Sequence, residues 1–176
     1  MKILIICSKK SYCYIKEIKD KLESFGHDVF LPNCYNNPFA EKEAWKMGEE
    51  SHRQFKDSMY RQSLKTIYQV DAVLVLNLTI DNKINYIGGA TFLEMYEAYM
   101  NAKKIYLYND IPEGMLYDEI HGFSPIIIHQ NLSLIKDEEN KYNVSYPDDE
   151  CFNCKAFDLL TEECTINCNC HLVEKE

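Results

Sequence analysis

The chain has 176 residues, 46% of them hydrophobic, enough for one substantial core and too few for two full-sized domains. Its formal net charge of −9, with no lysine or arginine run, argues against polymeric nucleic acid as a ligand. A small nucleotide stays open, because a pocket needs only a few local donors or one helix N-terminus to hold a phosphate. The aliphatic run before Cys7 is too short for a signal h-region or a membrane span, so a cytosolic location and no membrane partner are expected. In a reducing cytosol, eight cysteines read as thiols or metal ligands before they read as disulfides.

In chain order, residues 2–6 form an apolar run suited to a buried parallel strand, followed by the polar turn Cys7-Ser8-Lys9-Lys10-Ser11. Ile15, Ile18, Leu22 and Phe25 then recur at helical spacing, and Gly26 stands where a helix C-cap ends the element. Residues 27–31 predict a second strand, and residues 33–50 a polar, irregular loop. Residues 51–69 suit a helix carrying Phe55, Met59 and Ile67. Residues 71–76 are the clearest buried strand, and the polar stretch 77–86 leads to Gly88-Gly89 and a helix over 90–102. Residues 104–108 and 125–128 complete five strands, with a loop or short helix between them.

Strand and helix alternate as far as residue 135, which predicts an α/β fold: a flavodoxin-like (Rossmann-like) five-stranded parallel sheet with helices on both faces. Ligands of such sheets lie beyond the carboxyl ends of the strands, which brings the loops after Ile6 and Leu76 to one site. A domain over 1–146 and a cysteine-rich acidic tail over 147–176 are expected from the change in composition.

Neither GxGxxG nor GxxxxGK[ST] occurs, so dinucleotide and P-loop readings are weak. The segment from Tyr86 to Ala98 is richer. Gly88 and Gly89 let a ligand approach the backbone, and Glu94, expected in about the first turn of its helix, gains from the positive end of the dipole. Such a carboxylate can attack a sugar C1′ or stabilise the oxocarbenium-like centre formed as a base departs. By itself, an acid in that place is ordinary helix electrostatics.

Gly89-Ala90-Thr91-Phe92-Leu93-Glu94 with Ala98, following Asp71-Ala72-Val73-Leu74-Val75, resembles the signature of the nucleoside 2-deoxyribosyltransferase superfamily, which includes 2′-deoxynucleoside 5′-phosphate N-hydrolases and cytidine monophosphate hydrolases. The motif-level likeness covers residues 71–107. It implies Glu94 as nucleophile, a small nucleoside or nucleotide as substrate, no cofactor for catalysis, and a homo-oligomer. Ser8 and Lys10 fall where phosphate-using relatives carry a serine and an arginine, and Ser11 adds a donor. Asn77, Gly88, Gly89 and Thr91 complete the expected substrate-binding set. Ser63 falls near the position of the superfamily's second acidic residue and cannot supply a carboxylate, so Asp57 and Asp81 are considered as substitutes. Tyr12, Tyr14 and Tyr86 are candidates to stack on a base. Water as acceptor gives a hydrolase and a second nucleobase a transferase. The alternative reading is a non-catalytic nucleotide-binding or protein-interaction module, favoured by Ser63 and the tail.

In the tail, Cys151, Cys154, Cys164, Cys168, Cys170 and His171 offer enough soft ligands for a structural tetrahedral zinc. Eight acidic residues against two lysines over 147–176 fit a disordered tail with free thiols or disulfides equally well. Cys7, Cys13 and Cys34 have no neighbouring histidine in sequence and read as packing or loop residues.

Overall fold

A computed structural model describes residues 1–137, together with a short antiparallel pairing of Phe157–Asp158 with Glu163–Cys164. The first compact unit ends at Asp137. Residues 138–146, the last part of the expected 1–146 domain, lie outside the described residues, as do Cys151, Cys154, Cys168, Cys170 and His171. Cys164 enters only through its backbone pairing.

The fold is α/β. Five parallel strands, β1 (Lys2–Ile6), β2 (Asp28–Phe30), β3 (Ala72–Val75), β4 (Lys104–Leu107) and β5 (Ile126–Ile127), form one sheet in the order β2-β1-β3-β4-β5. This is the expected flavodoxin-like order. The connecting helices are α1 (Tyr12–Ser24), α2 (Ala40–Lys46), α3 (Glu49–Gln69), α4 (Gly89–Met100) and α5 (Tyr117–Gly122). The chain steps one way from β1 to β2 and the other way through β3, β4 and β5. Right-handed crossovers therefore put α1 on one face and α3, α4 and α5 on the other.

Strand alternation follows this division. Ile3, Ile5, Ala72, Leu74 and Tyr106 pack with Ile15, Ile18 and Leu22 of α1. Leu4, Ile6, Val73, Val75, Ile105 and Leu107 pack with Ile67 of α3, Met95 and Ala98 of α4, and Ile120 of α5. Both faces of β1 and β3 are buried, which is why these strands read as unbroken apolar runs.

The ends of α1 match expectation, with Gly26 at φ 86° just beyond the cap, in the left-handed conformation that glycine adopts without strain. Residues 33–50 differ from the expected irregular loop, since they contain α2. Only Ala44 of α2 is buried, so this seven-residue helix has no apolar period for a sequence reading to detect. It is held instead by polar and aromatic contacts to α3, including a stack of Trp45 on His52 with ring centroids 3.9 Å apart. Asp71 lies at the amino edge of the sheet, where its Oδ2 accepts the Lys2 N–H at 2.6 Å and joins β3 to β1. Among the described residues, no helix is long and apolar enough to cross a membrane.

Candidate active site

A cleft of about 420 Å³ opens at the carboxyl ends of β1 and β3, where the strand order reverses. Its walls come mainly from the loop after β1, one face of α3 and the start of α4, with Tyr12 of α1, the loop after β2, Glu41 of α2 and Tyr86 closing the rest. Ser8, Lys10, Gly88, Gly89, Thr91 and Glu94 all line it, so these sequence candidates converge. Ser11 and Asn77 do not line it.

Ser8 Oγ accepts the Lys10 N–H at 3.4 Å, a long contact that caps the short 3₁₀ turn Lys9–Ser11. Lys10 Nζ pairs with Asp81 and thereby ties the first loop to the loop after β3. Asp81 and Asn82 occupy the left-handed region at φ 50° and 61°, and Ile80 and Lys83 exchange backbone hydrogen bonds of 3.0 and 2.9 Å across them. This is a two-residue primed turn, for which Asp and Asn are suited. Both side chains of the Lys10–Asp81 pair are more than half exposed, so solvent screening leaves Lys10 free to exchange partners.

Ser11 is buried, and its hydroxyl has no hydrogen-bond partner among the described residues. Asn77 is wholly buried beside β4 instead of facing a ligand. Its Nδ2 donates to the carbonyls of Asn109 (3.1 Å) and Asp110 (2.8 Å), its Oδ1 accepts the Asn109 N–H at 2.8 Å, and the Asn109 amide donates back to the Asn77 carbonyl. Every polar atom of the Asn77 side chain thus holds the loop after β4.

Glu94 lies in the second turn of α4, not the first. The dipole contribution expected there is correspondingly weaker, since it fades beyond the first turn. Burial in the cleft raises the Glu94 carboxyl above its ordinary value, while the Ser63 hydroxyl and the Lys56 ammonium act in the opposite direction. Ser63 Oγ donates directly to Glu94 Oε1, so the α3 serine touches the candidate nucleophile. Neither substitute carboxylate reaches it: Asp57 pairs with Arg61 at 2.9 Å on the outer face of α3, and Asp81 is held by Lys10.

Tyr12 and Tyr86 line the cleft, whereas Tyr14 is exposed and does not. The Tyr12 hydroxyl donates to the Asn33 carbonyl at 2.8 Å, and Asn33 Nδ2 donates to the Met59 carbonyl at 3.0 Å, which joins α1, the loop after β2 and α3 into one wall. Cys7 also lines the cleft. Burial, followed by the nearby Glu94 charge, pushes its thiol up to about 12, so it is a neutral wall residue and no nucleophile.

Phe55, Met59 and Ser63, the first two expected as apolar helix positions and the third through resemblance, recur at intervals of four and form one face of α3 toward the cleft. Other lining residues escaped the sequence reading. Lys56, Tyr60, Lys9 and Glu41 had no such signal. Glu41 of α2 meets Lys9 Nζ at 2.6 Å, His52 Nε2 at 3.3 Å and Lys56 Nζ at 3.6 Å. Hydrogen bonding to Lys9, opposed by burial and reinforced by His52 and Lys56, holds its carboxyl down at about 2.

Among the described residues, no group of three or more His, Cys, Asp or Glu side chains is arranged to hold a metal ion. No protein-family model matches the chain, and no curated protein matches it in sequence.

Proposed function

We propose that this chain cleaves or transfers the N-glycosidic bond of a nucleoside or nucleoside 5′-monophosphate, with Glu94 as the nucleophile. The observation that carries the reading is the Glu94 carboxylate in a cleft at the strand-order reversal, hydrogen-bonded by Ser63 and enclosed with Ser8, Lys10 and the Gly88-Gly89 backbone. The cleft has room for a small ligand, and its Tyr12, Phe55, Tyr60 and Tyr86 rings offer flat apolar surface to a base.

In this reaction a Glu94 oxygen bonds to C1′ as the C1′–N bond breaks, and the base leaves with the bonding electron pair and takes up a proton. Water, or a second base, then attacks C1′ and releases Glu94. Ser63 steadies the ionised carboxylate in the resting state and orients it. The reading includes a homo-oligomer, which sedimentation of the purified chain tests.

A second reading, a non-catalytic nucleotide-binding module, is favoured by one specific observation. Among the described residues, the only other carboxylate lining the cleft, that of Glu41, is committed to Lys9, His52 and Lys56. Incubating the wild-type protein and Glu94→Ala with ribo- and deoxyribonucleoside 5′-monophosphates, and following free base by chromatography, separates the two. Release by wild type alone supports the glycosidic reading; no release, with or without an acceptor base, supports the binding module.

A further inference from the structure

The polar contacts of Glu41 have a feature that ordinary surface ion pairs lack: three nitrogens from two other segments converge on one carboxylate that lines a ligand-sized cleft, and Lys9 and Lys56 line that cleft with it while His52 backs the carboxylate. Lys9 comes from the loop after β1, and His52 and Lys56 stand one helical turn apart on α3. Their side chains are 39%, 17% and 29% exposed, so they are partly desolvated yet reachable from solvent. Two ammonium groups and an imidazole in this arrangement match the oxygens of a tetrahedral anion at least as well as the two oxygens of a carboxylate.

We propose that Lys9 and Lys56, backed by His52, form an anion-binding subsite at the edge of the cleft, that Glu41 fills it as a built-in counter-ion in the ligand-free protein, and that a phosphate group of the ligand displaces Glu41. This inference deepens the nucleotide reading by assigning a phosphate monoester to the cleft, but it depends only on binding. With Glu41 in place the two lysines carry one net positive charge, too little to neutralise a phosphate dianion; with Glu41 withdrawn they match it.

Displacement is physically accessible. α2 buries only Ala44, and it is joined to α3 through Gly48 at φ 114°, a conformation that lets the chain turn sharply between the helices. The contacts that give way are partly exposed ion pairs, individually weak. Glu41 therefore sets a threshold: ligands with a strong anionic group open the subsite, and a neutral nucleoside leaves Glu41 where it is.

The test is isothermal titration of wild type, Glu41→Gln and Glu41→Gln/Lys9→Met with inorganic phosphate and, separately, a nucleoside 5′-monophosphate. The expected result is affinity for phosphate about tenfold tighter in Glu41→Gln, as one competing charge is removed, and that gain lost in the double variant. Equal or weaker binding by Glu41→Gln, or a double variant that binds as tightly as Glu41→Gln, overturns the proposal. If inorganic phosphate gains but the monophosphate does not, the subsite serves free phosphate. Trp45, the single tryptophan of the sequence, gives a second measurement without any substitution, because it stacks on His52 four residues from Glu41. Its emission should change as phosphate is added to the wild type, and constant emission at saturation counts against displacement. Phosphate binding that responds to Glu41 in a protein that releases no base would defeat the glycosidic reading and leave this one standing.

Discussion

The Ser63 hydroxyl on α3 donates its hydrogen bond to Oε1 of Glu94 on α4, across a gap of 31 positions in sequence. The donor steadies the ionised carboxylate against the burial that favours its neutral form. Replacing Ser63 by Ala removes a stabiliser of the charged form, so the Glu94 carboxyl rises further. The acid limb of the pH–rate profile for base release should move to higher pH in Ser63→Ala, and an unmoved limb would show that Ser63 does not tune the nucleophile.

Glu94 carries a stability cost of its own. Its carboxyl is raised on folding, so ionised Glu94 destabilises the fold increasingly as pH climbs from the ordinary carboxyl value toward the raised one. Glu94→Gln keeps the shape and the acceptor for Ser63 without the charge. Thermal unfolding should show it more stable than wild type near neutrality, with the difference vanishing well below the ordinary carboxyl range, while any base release falls by about a thousandfold or more.

The two glycines at the start of α4 should behave differently. A Cβ at Gly88 would meet the Tyr86 hydroxyl at 3.1 Å and its Cε1 at 3.4 Å, whereas a Cβ at Gly89 has nothing within 4 Å. Gly88 has φ −86°, which alanine accepts, so Gly88→Ala should fold with Tyr86 displaced and bind ligand more weakly. Gly89→Ala should instead gain about 0.4–1 kcal/mol of stability from the unfolded chain's lost freedom, while its new methyl group takes up space in the cleft. Denaturant unfolding and ligand titration of both variants check this.

Asn77→Ala should damage the fold more than the site. It leaves the Asn109 and Asp110 carbonyls and the Asn109 N–H without their partner in a wholly buried place. A loss of about 2–4 kcal/mol in urea unfolding is expected from several buried hydrogen bonds broken together.

Thiol chemistry gives a check on the cleft wall. With its thiol pushed up to about 12, Cys7 should resist iodoacetamide at neutral pH, while exposed Cys13 is alkylated. Peptide mapping by mass spectrometry after brief labelling reads the two sites directly.

By itself, the sequence determined the sheet. The runs at residues 2–6 and 71–76 are apolar because both faces of those strands are buried, and Ile15, Ile18 and Leu22 keep helical spacing because one face of α1 meets the sheet. Burial of a regular element imprints its period on local sequence, so the strand number, the strand order, the helices packed on the sheet and the place of Glu94 near the start of α4 could all be read, while the barely buried α2 could not. What touches Glu94 could not. Ser63 was placed there through resemblance, but its hydrogen bond, the gathering of Lys9, His52 and Lys56 around Glu41, and the diversion of Asn77 to Asn109 join residues far apart in the chain. Polar contacts between elements leave no period behind. Only the tertiary structure decided them, because which side chains meet across a cleft depends on how the helices cross the sheet.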